Sequence, residues 1–120
     1  MSDTQYLAES YIAVWNETDP AARRALITGL FTEDAEFTDP LAEIRGHDAI
    51  DQLVGGAQAQ FQGLVFSLGG DTDAHHDLAR FTWHLTAPGA DEPVVVGFDV
   101  IKIEAGRIAQ VHGFLDKVPS

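Results

Sequence analysis

The chain has 120 residues, no cysteine and a formal net charge of −12, from 19 acidic side chains against 7 Lys and Arg. That length points to one domain, large enough to bury a core without covalent staples. Disulfides, thiolate metal sites and cysteine nucleophiles are excluded, and the charge would repel a phosphate backbone, so nucleic acid is not an expected partner. The opening residues, MSDTQY, carry no charged and apolar leader, and no apolar run reaches membrane-spanning length. The expectation is a cytoplasmic protein that does not engage a membrane.

Leu7, Tyr11, Val14 and Trp15 recur at helical spacing and predict a first helix over 4–16, with Ser2 or Asp3 as its cap. Asp19-Pro20 starts a second helix, Asp as cap and Pro in the first turn, running to about Leu30 with Ala22, Leu26, Ile27 and Leu30 inward. A short strand follows in LFTEDAEFTDP and ends at Asp39. Phe37 and Asp39 share one of its faces, because strand side chains repeat every two residues. Gly46 precedes a third helix over 47–61, whose apolar face is Ile50, Leu53, Val54, Ala57 and Phe61. Gly55 and Gly56 stand inside it. Each costs about 1 kcal/mol relative to Ala, which points to a bend or to a close approach by another element.

Strands are predicted over 64–69, 78–87, 93–104 and 107–117. In the second of these, Ala79, Phe81, Trp83 and Leu85 make an apolar face, and Arg80, Thr82, His84 and Thr86 a polar one. In the third both faces are apolar: Val95, Gly97, Ile101 and Ile103 on one, Val94, Val96, Phe98 and Val100 on the other. A strand of that kind is covered on both sides. The helices cover one face, so a second copy of the chain is expected over part of the other. Helices first and antiparallel strands after is an α+β pattern, with three helices on one face of a curved sheet and a concave cavity lined by strand residues.

Two acids interrupt this pattern. Asp99 is the only charge on the face of Val95, Gly97, Ile101 and Ile103. Such a carboxylate must be paired, hydrogen-bonded or neutral, and burial favours its protonated form. It reads either as a pocket acid or as an acid at the sheet margin reaching water. Asp39 reads either as a pocket acid or as a turn starter before Pro40, where Asp caps its own backbone. Tyr11 lies on the inward side of the first helix, either simply packed or with its hydroxyl engaged. A two-residue loop, Ala105-Gly106, would set Asp99 against His112 but asks positive φ of Ala105; a three-residue loop, Glu104-Ala105-Gly106, suits Gly106 in the left-handed conformation and is favoured, Asp99 then facing Val111 with His112 pointing away. His84 falls on a polar face and His47 at a helix start. The adjacent pair His75-His76 lies in the polar turn GDTDAHHD, with its rings on opposite faces, so no metal site is expected.

The stretches SYIAVWNETDP, LFTEDAEFTDPLAEIRGHDAI and VVVGFDVIKIEAGRIAQVHGFLD together resemble the ketosteroid isomerase and SnoaL-like branch of the nuclear transport factor 2-like superfamily. The resemblance spans nearly the whole chain. It implies a cone-shaped α+β barrel, a strongly bent antiparallel or mixed sheet wrapped around three helices from the N-terminal half, a deep apolar pocket and usually a homodimer. It also implies roles. Asp39, directly before Pro, matches the base of the isomerases. Tyr11 in YIAVWN matches their oxyanion-binding hydroxyl, and Asp99 in GFDVI their protonated carboxylic acid. One departure is the longer connection around DPAARR, which would tilt the first helix and move the Tyr11 hydroxyl.

The leading expectation is an enzyme that moves a proton next to a carbonyl of a small, apolar, cyclic molecule, without cofactor or metal. Asp39 carries the proton, Tyr11 and Asp99 donate hydrogen bonds to the charged oxygen, and Trp15, Phe37, Phe61, Phe81, Trp83 and Leu115 hold the apolar body. The alternatives are a non-catalytic carrier of an apolar ligand and a dimerisation module.

Overall fold

Asp19 and Pro20 separate the first two helices of the chain. The computed structural model describes residues 3–119. In it α1 (Asp3–Asn16) is followed by α2 (Pro20–Leu30). The Asp19 carboxylate accepts from the Ala22 N–H at 2.9 Å, and Pro20 takes a first-turn position that needs no donor. Asp3 is already helical rather than a cap, and the other capping candidate, Ser2, lies outside the described residues. At its far end α2 runs straight into a strand. Phe31 becomes extended (φ −98°, ψ 146°) while its N–H still donates to the Ile27 carbonyl.

The remaining elements are β1 (Phe31–Thr38), β2 (Glu43–Arg45), α3 (His47–Gln60), β3 (Val65–Leu68), β4 (Asp73–His75), β5 (Leu78–Thr86), β6 (Val95–Glu104) and β7 (Arg107–Lys117). They form one sheet in the order β2-β1-β7-β6-β5-β3, with β4 also on β5. The pairing β1–β7 is parallel and the others are antiparallel, so the sheet is mixed. It stays open: β2 and β3 end its order, and the expected barrel does not close. Two strands escaped the sequence pattern. β2 is only three residues long. β4 falls in the stretch expected to be a polar turn, pairing Asp73 with Arg80 and His75 with Leu78; all three of its residues are exposed, so no alternation marks it.

The inner face carries the core. Residues alternate buried and half-buried from Val95 to Val100, as the two-sided apolar pattern required. Phe81, Ile101, Ile108 and Val111 pack beneath Val14, Ile27, Ile50 and Val54 of the helices. The second helix is less embedded than its periodicity implied. Ile27 and Leu30 are buried, Ala22 is half-buried and Leu26 is 39% exposed, because the helix packs on its neighbours along one narrow stripe.

The hairpin between β6 and β7 overturns one expectation. Glu104 pairs with Arg107, which leaves a two-residue loop, and Ala105 takes φ 51° beside Gly106 at φ 79°. Positive φ strains Ala by roughly 1–2 kcal/mol. The primed turn it permits matches the twist of the two strands, and that match wins. A bulge then inserts one residue: Ile103 pairs with Ile108, but Lys102 pairs with Gln110. Without the bulge Asp99 would oppose His112. With it Asp99 opposes Gly113, and neither Val111 nor His112 is its partner. His112 is exposed and bonds Gln110.

Side-chain bonds fix α1 in place. Asn16 pairs like a strand residue with the Phe66 backbone, both bonds 2.9 Å. Gln58 of α3 donates to the carbonyls of Trp15 and Glu17 at 3.0 and 2.8 Å, closing the C-terminus of α1. Arg23 of α2 donates to Gln58 at 2.8 Å and to Asp51 at 2.6 Å. The Arg23 guanidinium passes over Gly55, where a Cβ would stand 3.4 Å from Nη2. Gly55 therefore marks a close approach. Gln58→Ala removes three part-buried bonds at the meeting point of the helices; we expect a loss of about 1–2 kcal/mol in unfolding free energy, read from urea denaturation.

Candidate functional site

The concave face bounds a cavity of about 890 Å³ between α1, α3 and the inner faces of β1 and β5–β7. Tyr11, Asp39 and Asp99 all line it. Tyr11 is 2% exposed and is wedged among Trp15, Phe31 and Phe81, with ring centroids 6.1, 6.2 and 5.4 Å away. Edge and tilted contacts of this kind hold a ring firmly. The longer connection after α1 does not displace the hydroxyl, which reaches Asp99.

Asp99 is 3% exposed, the one buried charged side chain among the described residues. The Tyr11 hydroxyl and the Trp83 indole N–H both donate towards it. Burial raises its carboxyl to about 7; the two donors pull it down and the nearby charge of Asp39 pushes it up. The direction is the one its inward position implied, and Tyr11 and Trp83 limit the rise by partly solvating the charged form. Burial first, and the charge of Asp99 second, hold the Tyr11 hydroxyl protonated well above the usual phenol range. The neighbouring Trp15 acts weakly the other way.

Asp39 meets both of the readings its position allowed. Its Oδ1 accepts from the N–H groups of Leu41 and Ala42, each at 2.8 Å, so it does start a turn. That turn uses Oδ1, and the side chain also lines the cavity. Glycine brings the two acids together. A Cβ at Gly113 would stand 2.7 Å from Asp99 Oδ1 and 3.2 Å from Asp39 Cβ, so both acids close over the same bare stretch of β7.

Trp15, Phe37, Phe61, Trp83 and Leu115 line the cavity as expected. Phe37, Trp15, Phe66 and Trp83 form a continuous aromatic wall, with successive centroids 6.0, 5.4 and 5.7 Å apart. Phe81 does not belong to that wall. It is buried behind the Tyr11 ring and supports the site from the core. Three contributions were missed: Phe66, the N–H of Trp83 and the missing side chain of Gly113. Trp83 reaches Asp99 by lying over Gly97, its partner in the ladder, where a Cβ would fall 2.5 Å from the ring. A glycine opposite a bulky residue on an inner face was the available signal. No group of three or more His, Asp or Glu among the described residues could hold a metal ion, and no helix is long and apolar enough to cross a membrane.

Residues 8–111 match the model of the SnoaL-like domain. The chain belongs to the SnoaL-like domain family. A proposed isomerase of the SnoaL-like family from Agrobacterium tumefaciens is 37% identical, with a TM-score of 0.90 over 97% of this chain and 99% of that one. Two more distant structures share the fold. A proposed ketosteroid isomerase from Kribbella flavida has 19% identity and a TM-score of 0.72, over 98% of this chain and 81% of that one. A proposed polyketide cyclase from Sinorhizobium meliloti has 16% and 0.69, over 94% and 99%. No protein of curated function matches the chain.

The acid at the centre of this SnoaL-like site links stability to pH. Below about pH 4 Asp99 is protonated in both folded and unfolded states. As pH rises from there towards its folded value of about 7, the unfolded chain ionises first and the native state loses stability. Above 7 the penalty is complete, about 4 kcal/mol at about 1.4 kcal/mol per unit. Asp99→Asn removes it. Urea titrations from pH 4 to 9 should give a flatter profile for the variant, with stability equal to or above wild type at pH 8; clear destabilisation there would refute the burial argument.

Proposed function

We propose that this SnoaL-like protein is a proton-transfer enzyme of the isomerase or cyclase type, acting next to a carbonyl of an apolar cyclic substrate. One observation carries the reading: Tyr11, Asp39 and Asp99 converge on one largely apolar cavity. The isomerase description of the Agrobacterium relative supports the same class. In the proposed reaction Asp39 takes a proton from the carbon next to the carbonyl. The electron pair moves onto the carbonyl oxygen, which Tyr11 and protonated Asp99 hold by hydrogen bonds. Asp39 returns the proton further along the ring system, so nothing is gained or lost overall. Asp39 suits the shuttle because its turn bonds fix a carboxylate that lines the cavity. Tyr11 suits the oxygen because its own ionisation is suppressed.

Conversion of an unconjugated cyclic enone to its conjugated isomer, followed by the growth of ultraviolet absorbance, tests the proposal. Asp39→Asn should lower turnover by about 10²–10⁴-fold. Tyr11→Phe should cost less, since Asp99 still donates. Activity should fall as pH passes about 7, where Asp99 loses the proton it donates. A protein that binds a phenolic analogue of the charged intermediate but turns over no enone is a carrier of an apolar ligand instead.

We also infer that two copies of the chain pair through the outer sheet face. Val96, Phe98 and Val100 are half-buried there although the helices lie on the other side. Phe98 stacks on Phe114 at 5.0 Å and 13°, and Phe114 remains 51% exposed. Apolar rings left in water on one sheet face favour association. Light scattering at micromolar concentration should give a dimer; a monomer would remove the basis for the pairing.

A further inference from the structure

Asp39 and Asp99 border the cavity with no positive side chain to answer them. None of the seven Lys and Arg residues of the chain lines it, and none of the five histidines does. The α3 residues that line it carry no titratable group. Asp99 meets Tyr11 from α1, Trp83 from β5 and the charge of Asp39 at the end of β1, and β7 sets Gly113 opposite it. Tyr11 and Trp83 are neutral donors, so they answer a negative charge only in part. The two acids close over one bare stretch of β7 in a chain of net charge −12. The cavity is therefore negative, and a buried charge of this kind is stabilised by a counter-charge that only a ligand can bring here.

The same cavity has an aromatic wall. Phe37, Trp15, Phe66 and Trp83 follow one another with tilts of 42°, 54° and 58°. None of these pairs is stacked, so the rings do not cover one another's faces. A ring face attracts a cation, and tryptophan does so most strongly. Both tryptophans of the chain belong to this wall. Trp83 also joins the wall to the acids: its ring neighbours Phe66 while its N–H is directed towards Asp99. A neutral apolar ligand would use the rings and gain nothing from the acids. An alkylated ammonium uses both, and its charge is spread over alkyl groups, so it gives up less hydration than a bare ammonium.

We propose that the cavity binds an apolar molecule carrying a tertiary or quaternary ammonium group, with the ammonium over Trp83 beside the carboxylates of Asp39 and Asp99. At about 890 Å³ the cavity holds far more than the ammonium, and the apolar body lies against Phe61 and Leu115. This does not rest on the proton-transfer reading. It adds a ligand class defined by charge, and the negative field of the whole chain favours the approach of such a ligand.

Phenyltrimethylammonium and tert-butylbenzene have the same shape and differ by one positive charge, which the ammonium keeps at every pH. Ligand-observed proton NMR titrations should show wild type binding the ammonium about tenfold or more tightly than tert-butylbenzene at about pH 8.5. Affinity for the ammonium should rise about tenfold from about pH 5.5 to about pH 8.5, as Asp99 ionises beside it, while tert-butylbenzene changes little. Asp99→Asn should abolish that rise. Trp83→Phe and Trp83→Leu both lose the indole N–H, but only the first keeps a ring. The leucine variant should bind the ammonium about three- to tenfold less tightly than the phenylalanine variant, with no such difference for tert-butylbenzene. Equal or tighter binding of tert-butylbenzene by wild type at about pH 8.5 would overturn the proposal. So would an ammonium affinity that does not change with pH, or no ammonium binding at millimolar concentration. The enone assay is separate from all of these: a protein that isomerises the enone and ignores the ammonium loses this proposal and keeps the proton-transfer one.

Discussion

A carboxylate held on the inner face of a central strand is the constraint from which the rest of the site follows. Asp99 is 3% exposed on β6, between β5 and β7. An isolated charge there would be prohibitive, so its neighbours must either solvate it or keep it protonated. Here they do some of both. Tyr11 and Trp83 supply donors, while burial raises the group to about 7. An acid balanced at that point accepts a hydrogen bond or gives one with little change in energy. In the proposed reaction that property would suit a group facing an oxygen that gains and loses charge.

The donors are in reach only because other parts of the molecule are arranged around them. Tyr11 arrives from α1, and α1 is tied at its end by Asn16 to β3 and by Gln58 to α3. Arg23 links that tie to α2 through Gln58 and Asp51. Three helices from separate stretches of chain are thereby coupled to one hydroxyl. Trp83 arrives from β5 by lying across Gly97, and Asp39 closes towards Asp99 over Gly113. Two absent side chains on adjacent strands create the space in which two present ones meet.

Much of this was legible in the chain itself. The alternation of β6 identified Asp99 as the one charge on an inner face, and its burial follows that pattern. Asp19-Pro20 marked the start of α2, and FTDP marked both the end of β1 and the turn that Asp39 starts. Other features left weak traces. β4 is exposed on every residue, so no periodicity distinguishes it from a loop. Phe81 and Trp83 share a face two residues apart, yet one supports Tyr11 from the core and the other lines the cavity. Periodicity assigns a residue to a face, and the depth at which the face is covered depends on which element lies above it.

The sequence by itself determined the fold class and the inward faces of β5 and β6, because these depend on local spacing, while Tyr11, Asp39 and Asp99 were joined as a set only by the family resemblance. Tertiary structure alone decided what Asp99 opposes. A two-residue turn with Ala105 at positive φ and one inserted residue beside Ile108 together place Gly113, and not His112 or Val111, across from it. Each strand residue has a local preference, but a ladder has a single register, and the twist of two long strands outweighs the strain of one alanine. The protonation of Asp99 was likewise settled in three dimensions. Burial acts through the whole surrounding volume, and the two donors that oppose it come from α1 and β5, 88 and 16 positions away in the chain.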